Sequence, residues 1–374
     1  MVSFRVCTER SLLLLFTAAM PDADQSAVLK RPFDFVPLPY GDSVDRHPPT
    51  GHDVFDGKSG RLECELEAIS PFLVMDSHNR AGPSKSETGT FMTGRDGNPL
   101  IPGTSLKGLI RSTFEVLLPC CVSMDSSQTG RMVEPPFNSC SDWNALCPSC
   151  RTFGFMSSRV HRGHVNLGEA QAVGDAERMP AKQLVPMFGP NPGSSHYQES
   201  SPNRGRRAKG RKFYFHQELI QTATTQNEQN RGPHVAPLKP GVTFEFTVTF
   251  ENLSGTELAA LVAALELTDT AQVGGDTVRV YHKLGYGKPA GLGSVDVQIR
   301  RAEFEPPAEE RYSQFDATPR VLEASGDALR SWVDEQKERF FASPDKPVQA
   351  LCEILRYPPP EDVTYTYYPN GRDY

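Results

Sequence analysis

Cysteine spacing gives the strongest chemical signal in this sequence. Of eight cysteines, five fall between residues 120 and 150. Cys147 and Cys150 have the Cys-x2-Cys spacing of a zinc knuckle, and Cys140 with either Cys120 or Cys121 would complete a tetrahedral site of four thiolates. Such a closed site can replace the missing core of a long irregular loop. We therefore predict a structural zinc held by Cys120, Cys140, Cys147 and Cys150.

Other ligand sets and other roles for these thiols stay open. His161 and His164 would make a Cys-x2-Cys-x10-His-x2-His pattern, slightly short of the usual finger spacing. The cysteines could also be buried free thiols, or disulfides in a secreted protein. Zinc is the interpretation that we favour.

A second chemical signal is the segment Ile101–Arg111, IPGTSLKGLIR, which predicts a tight turn into a helix. Thr104 or Ser105 can cap the helix, and free N–H groups beside hydroxyls and Lys107 favour an anion. Lys107 and Arg111 are four residues apart and share one face. An ordinary capped helix with solvent-exposed cations would look similar, and the GxxxxGK[ST] pattern of a P-loop is missing. Ser105, Lys107 and Arg111 are thus candidate phosphate contacts.

A third signal is the glycine-rich stretch Leu284–Gly293, LGYGKPAGLG. Glycine lets a backbone approach a ligand closely, and Lys288 adds a positive charge. Gly287 and Lys288 are therefore candidate ligand contacts, although a mobile hairpin loop explains the pattern equally well.

The fourth signal is the basic run RGRRAKGRK at residues 204–212, which leads directly into Phe213, Tyr214, Phe215 and His216. Cations neutralise phosphates, and aromatic faces stack on splayed bases, as recognition of single-stranded RNA requires. The alternative is a solvated basic loop beside an ordinary strand. The candidate RNA contacts here are Arg206, Arg207, Lys209, Arg211 and Lys212.

The elements that must position these segments follow from periodicity. Alternation is clearest at Val242–Phe250, and Ser254 with Glu257 makes a capping box for a helix that ends near Leu267. The other predicted elements are strands at 61–74, 165–173, 212–220 and 294–299, a helix at 103–118 and a helical region at 321–357. This order predicts an α+β protein with a β-α-β-β-α-β, ferredoxin-like core.

Composition divides the chain into three parts. Residues 1–60 are polar and Pro-rich and predict an extended segment, and residues 61–302 form the main domain. That domain carries a zinc-knuckle insertion at 119–155 and a second insertion at 176–240, rich in Pro, Gly and basic residues. Residues 303–374 form a helical C-terminal extension and a tail.

Charge and hydropathy limit where such a protein can act. The net charge is −7, so any nucleic-acid surface must be a local patch. Arg5 and Arg10 precede the apolar Leu12–Phe16, a pattern that resembles a short signal peptide. We favour instead a native start at Met20, with residues 1–19 non-native, because the remaining sequence suits a reducing cytoplasm. No apolar run reaches the ~18 residues that span a membrane. We expect a cytoplasmic protein without membrane contact.

Taken together, the motifs are more specific than any one alone. IPGTSLKGLIRSTFE, CPSCRTFGF at Cys147–Phe155 and LGYGKPAGLGSV at Leu284–Val295 resemble, in this order, the RAMP superfamily of CRISPR-associated proteins. They resemble in particular the subunits that form the repeating backbone of type III effector complexes. FDFVPLP at Phe33–Pro39 and GRKFYFHQ at Gly210–Gln217 are similar to one branch of that superfamily.

The resemblance implies an RRM-like ferredoxin core with guide RNA lying along the helix turn and the Gly-rich loop. It also implies a structural zinc and a thumb-like hairpin within 176–240 that displaces bases of the guide–target duplex. The implied partners are CRISPR guide RNA, target RNA and other effector subunits.

The sequence leaves the enzymatic activity open. In type III backbone subunits, an acidic residue between the first strand and the first helix cuts target RNA with a divalent metal such as Mg²⁺. That loop here offers Asp76, Glu87 and Asp96, of which Asp76 is the first candidate, but none has a family-like context. A metal-dependent endoribonuclease and a protein scaffold with little RNA contact are therefore alternatives to an RNA-binding subunit.

Overall fold

The computed structural model describes residues 28–76, 88–122 and 132–366, apart from the single residues 192, 204, 315, 317, 324 and 325. The signal-like stretch at the N-terminus lies outside the described residues. The helices are α1 (Gly103–Leu117), α2 (Pro148–Phe153), α3 (Gln226–Arg231), α4 (Gly255–Leu265), α5 (Ala308–Ser313), α6 (Asp327–Phe341) and α7 (Lys346–Leu355).

Most of the strands are short, and three have eleven residues. They are β1 (Val28–Lys30), β2 (Phe33–Pro37), β3 (Lys58–Ala68), β4 (Gly89–Thr90), β5 (Leu100–Ile101), β6 (Phe155–Met156), β7 (Val160–His161), β8 (Val165–Leu167), β9 (Ala170–Val173), β10 (Lys182–Gln183), β11 (Gln198–Ser201), β12 (Gly205–Ala208), β13 (Gly210–Tyr214), β14 (His234–Ala236), β15 (Thr243–Leu253), β16 (Ala271–Val273), β17 (Asp276–Val280), β18 (His282–Lys283), β19 (Ser294–Phe304), β20 (Arg320–Glu323), β21 (Arg356–Tyr357) and β22 (Val363–Tyr365).

The central sheet is antiparallel and has the order β18-β19-β3-β15-β9-β5, with β20 beside β19 and β8 beside β15. The alternation predicted for 242–250 is confirmed in β15, whose Phe244 and Val248 are fully buried while Glu245 and Thr247 are exposed. This sheet therefore has one face in the core and one face toward solvent. With its helices it confirms the predicted α+β class.

Helices α1, α4 and α6 supply the second layer. The capping box predicted at the start of α4 is confirmed, since Ser254 accepts from the Glu257 N–H and Glu257 reaches back to the Ser254 N–H. Such a cap stabilises a helix by about 1 kcal/mol. On α1, Ile110 and Phe114 are fully buried. This buried face packs α1 against the core and leaves its other face available for the candidate site.

The start of α1 differs from the prediction. Thr104 and Ser105 lie inside the helix, Pro102 occupies the N-cap position, and no side chain caps the helix. Gly103 permits this entry because a Cβ there would lie 2.2 Å from the Leu167 carbonyl oxygen. The hydroxyls of the first turn are therefore not used for capping.

Two segments far apart in sequence join at the edge of this body. β2 pairs antiparallel with β13, so Phe33–Pro37 lies against Gly210–Tyr214. The predicted helical region 321–357 consists of β20, α6, α7 and β21. Among the helices of the described part of the chain, none is long and apolar enough to cross a membrane.

Candidate nucleic-acid interface and metal centre

The α1 groove is a cavity of about 500 Å³ where five segments meet: residues 74–75 of the loop after β3, the first three turns of α1, strand β13, β18 with the Gly-rich loop after it, and the last residue of α7. Its lining residues are Val74, Met75, Thr104, Ser105, Gly108, Leu109, Ser112, Thr113, Lys212, Phe213, Tyr214, His282, Lys283, Leu284, Gly285, Tyr286, Lys288 and Leu355. Three of the sequence signals therefore converge on one surface.

Two lysines give the groove its charge. The Lys212 ammonium lies 3.7 Å from the centroid of the Phe33 ring and donates to the Tyr197 hydroxyl at 2.9 Å. Burial, with a smaller contribution from the charge of Lys288, lowers the pKa of Lys212 to about 8. Burial also lowers the pKa of Lys288, whose ammonium lies 5.7 Å from the Tyr214 ring centroid. Among the described residues, no carboxylate lies within 4.0 Å of either ammonium. A bound anion would therefore stabilise the charged forms of these two desolvated lysines.

The Gly-rich loop is shaped by close backbone contacts. A Cβ on Gly285 would lie 2.2 Å from the Leu73 carbonyl oxygen, and the Tyr286 N–H donates to that same oxygen at 2.7 Å. Gly287 has φ +74°, a left-handed conformation that favours glycine. Glycine at these positions lets the Gly-rich loop lie against Leu73, and the Gly-rich loop thereby completes the groove.

A buried lysine beneath the loop was missed by the sequence reasoning. Lys283 donates to the carbonyl oxygens of Gly291 at 3.2 Å and Leu292 at 2.9 Å, and burial lowers its pKa to about 7. Next to it, His282 is bonded to the Leu265 carbonyl at 3.1 Å, and burial lowers its pKa to about 4. Lys283 therefore holds the Gly-rich loop, whereas His282 bonds the end of α4, and both residues are buried.

Three of the predicted phosphate-binding arginines make ion pairs within the chain. Arg111 pairs with Glu115 at 2.9 Å, and Arg211 bonds the same Glu115 and the carbonyl oxygens of Cys120 and Cys121. Arg207 pairs with Glu199 at 2.6 Å and stacks 4.0 Å from the Tyr40 ring centroid. Glu115 was missed, although its i,i+4 spacing from Arg111 was visible in the sequence.

The other predicted contacts are more open. Lys107 is half-buried, and burial lowers its pKa. Arg206 is exposed and donates to Gln198 at 3.5 Å, and Lys209 is half-buried. Arg204 lies outside the described residues. His216, grouped with the stacking aromatics in the sequence, is buried and bonded to Ser294 at 2.7 Å, so it cannot stack on a base.

Four cysteines do come together, in a group whose sulfurs all lie within 4.8 Å of one another: Cys121, Cys140, Cys147 and Cys150. The Cys121 and Cys150 sulfurs are 3.7 Å apart. Ligand bonds of about 2.3 Å in a tetrahedron place sulfurs about 3.8 Å apart, so the group fits a zinc ion.

The prediction that Cys120 belongs to this group is wrong. Cys121 supplies the fourth sulfur, while the Cys120 sulfur accepts from the Ser149 N–H at 3.3 Å. The alternative pair His161 and His164 also lies outside the four-sulfur group.

Two arginines lie beside the sulfurs, and the pKa is lowered for Cys140 and Cys147 but raised for Cys121 and Cys150. Arg46 donates to the Cys140 sulfur at 2.9 Å, and Arg111 lies 3.6 Å from the Cys150 sulfur. Hydrogen bonds from Cys120 and the other thiols hold the pKa of Cys147 well below its usual range, and the contact with Cys121 lowers the pKa of Cys140 to about 7. Two guanidinium groups would balance the net −2 charge of zinc with four thiolates. When bound, such an ion would only cross-link the segment.

Two of the three candidate catalytic carboxylates lie among the described residues. Asp76 is half-buried and directly follows Val74 and Met75, which line the α1 groove. Asp96 is exposed, and the backbone N–H of Asn98 lowers its pKa. Glu87 lies outside the described residues. Of the two described carboxylates, Asp76 is the one that lies next to the groove.

Comparisons with known proteins add a family match. Residues 65–296, well over half of the chain, match the model of the family described as RAMPs, the RAMP superfamily. That range contains α1, the four cysteines and the Gly-rich loop. No curated protein matches the chain.

Solved structures also match, 185 chains in all. One is described as "Type IV-B CRISPR Complex": it is 16% identical, with 64% of this chain and 90% of that chain covered and a TM-score of 0.34. Another is described as "Cryo-EM structure of the Type III-B Cmr-beta bound to cognate target RNA": it is 12% identical, with 71% of this chain and 62% of that chain covered and a TM-score of 0.35.

Proposed function

This chain belongs to the RAMP superfamily, and we propose that it is an RNA-binding subunit of a CRISPR effector complex. The observation that carries the proposal is the α1 groove, where the helix turn, the basic-aromatic strand and the Gly-rich loop meet. These segments are far apart in sequence, and their convergence gives a cavity with desolvated cations, aromatic rings and hydroxyls. That is the chemistry that a sugar-phosphate backbone with unstacked bases requires.

We infer that the core is RRM/ferredoxin-like. In support, β3, α1, β8 with β9, β15, α4 and β19 follow the chain order β-α-β-β-α-β, and the sheet has the order β19-β3-β15-β9. In this scheme residues 61–302 are the RAMP domain, with the insertions 119–155 and 176–240, and residues 303–374 are an extension. Hairpin β11–β12 is our candidate for the thumb.

The proposed phosphate contacts centre on Ser105, Lys212 and Lys288, with Gly287 shaping the loop. Lys107, Arg206 and Lys209 extend the path along the surface. The structure alters the proposed role of the paired arginines, since Arg111, Arg207 and Arg211 already have carboxylate partners. We propose that these three hold the insertions in place, so that the groove keeps its shape.

We further propose that the finer role is that of a type III backbone subunit in the cytoplasm, which holds CRISPR guide RNA and presents target RNA to its neighbours. A structural zinc at Cys121, Cys140, Cys147 and Cys150 would stabilise the insertion beside α1. A second candidate function is metal-dependent cleavage of RNA at Asp76, which the position of Asp76 next to the groove favours.

Gly108 allows a direct test. A Cβ there meets no atom within 4 Å, so Gly108→Glu should fold and place a carboxylate in the groove. Binding of a fluorescein-labelled uridine-rich RNA, measured by anisotropy, should weaken because the carboxylate repels phosphate. Gly255→Glu is the matched control, because a Cβ at Gly255, in the first turn of α4, also meets nothing within 4 Å. Equal affinity in both variants would contradict the proposed groove.

A further inference from the structure

A second group of metal-ligating side chains lies away from the groove and from the four cysteines. His52, His164 and Glu251 offer ligand atoms that all lie within 4.8 Å of one another. They come from the N-terminal segment, the residue before β8, and the end of β15. The His52 and His164 ring centroids are 4.6 Å apart, and His52 Nδ1 lies 3.0 Å from the Glu251 carboxylate.

His164 carries the argument because one of its ring nitrogens is buried without a partner. The residue is 6% exposed, and its Nε2 lies 3.1 Å from the Thr50 carbonyl oxygen. A carbonyl only accepts, so Nε2 holds the proton, and Nδ1 of the neutral ring is a lone pair. Among the described residues, Nδ1 of His164 has no hydrogen-bond partner. Burial lowers the pKa of His164, which keeps the ring in the neutral form that binds metals.

His52 has a similar arrangement. Its Nε2 lies 3.0 Å from the Arg162 carbonyl oxygen, which assigns the proton to Nε2 and turns the Nδ1 lone pair toward Glu251. A lone pair facing a carboxylate is repulsive, and either a proton or a metal ion between the two atoms removes that repulsion. Metal-ligating histidines almost always donate their other ring N–H to a carbonyl or carboxylate, and both histidines have that partner.

The backbone places Glu251 for this role. The Glu251 N–H donates to the His164 carbonyl oxygen at 2.9 Å, so two of the ligands are held by adjacent strands. The register of β15 with β3 shifts between Phe250 and Leu253, with Asn252 at φ +53°. Bulges of this kind re-aim a side chain.

We propose that His52, His164 and Glu251 bind a divalent metal ion of the zinc class, separate from the four-cysteine site. Imidazole with one carboxylate suits zinc, cobalt, nickel or copper better than magnesium or calcium. With bonds of about 2.1 Å, a nitrogen-oxygen separation near 3 Å subtends about 90° at the metal, an ordinary coordination angle. The ion would fasten the N-terminal segment to β15, and the proposal is independent of the RNA groove.

The test is metal content. The full chain, purified without a histidine tag and equilibrated with zinc, should hold two zinc ions as measured by inductively coupled plasma mass spectrometry. His164→Ala and Glu251→Gln should each hold one. His47→Ala is the control and should keep two, because His47 lies in the same N-terminal segment but outside the group.

Replacing zinc with cobalt shows which of the two sites has lost its ion. The thiolate-to-cobalt absorption of the four-cysteine site should persist in His164→Ala, which also reports that the variant is folded. Should His164→Ala fail to fold, the half-buried His52 is replaced by Ala instead, with the same expected loss of one ion. A single zinc in the wild-type chain, or two in both the His164 and Glu251 variants, would overturn the proposal.

Discussion

The sharpest prediction concerns the two lysines of the α1 groove, replaced together as Lys212→Gln and Lys288→Gln. Both ammonium groups are desolvated, and the charge of Lys288 opposes that of Lys212. Glutamine keeps most of the side-chain volume and removes the charge. The variant should fold, because losing the desolvated cation contact with Phe33 costs about 2 kcal/mol while a like-charge repulsion is relieved.

The expected loss of RNA affinity follows from counterion release. For single strands, each neutralised phosphate adds about −0.7 to the slope of log K against log salt, so two lost contacts reduce the slope by about 1.4. Taken from a 1 M reference, this corresponds to about 14-fold weaker binding at ~0.15 M salt and about threefold at ~0.5 M. The loss should therefore shrink as salt is added.

Fluorescence anisotropy of a labelled single-stranded RNA across a salt series measures both quantities. The control removes two positive charges elsewhere, as Lys239→Gln with Arg300→Gln, because both side chains are about half exposed and paired at the surface. Its slope should match that of the wild type. If the control and the groove variant lose equal affinity, the effect is one of net charge, and the assignment of the groove is refuted.

Three further predictions test other parts of the account. Protonated Lys212 is the form that binds phosphate, and its pKa is about 8. RNA affinity should therefore fall as the pH rises from 7 to 9, and calorimetry should detect proton uptake on binding near pH 8. An RNA affinity that does not change with pH would contradict this role. Glu115→Gln leaves two half-buried arginines without their carboxylate and should lower the free energy of unfolding in urea by about 3 kcal/mol. The control Glu177→Gln, at an exposed ion pair, should leave that free energy nearly unchanged. Cys147→Ser should lose one zinc and lower the melting temperature, whereas Cys352→Ser, a buried thiol outside both metal-ligand groups, should keep its zinc content.

The parts of the fold with strong local signals could be predicted. The alternation in β15 follows from a sheet with one buried face, and the capping box of α4 follows from hydrogen bonds within four residues. Local signals were less reliable at the start of α1, where the close approach of Gly103 to Leu167 determines how the chain enters the helix. That contact joins segments far apart in sequence.

The site was predictable as a set of motifs but not as an arrangement. A run of cations does not reveal which members have partners, and Arg211 finds Glu115 almost a hundred residues away. Cys120 and Cys121 could not be separated from spacing alone, because only the packing decides which sulfur faces the group. Lys283 and the His52–His164–Glu251 group were missed because their roles depend on burial and on contacts between residues far apart in sequence.

The central claim is that CRISPR guide RNA lies in the α1 groove. Ultraviolet crosslinking of the complex assembled with its partner subunits, followed by identification of the joined peptide and RNA, tests it most directly. We predict crosslinks from Tyr214 or Tyr286, both in the groove lining, to an RNA that carries a repeat-derived tag. Crosslinks that map only outside the groove, or an RNA without repeat-derived sequence, would contradict the claim.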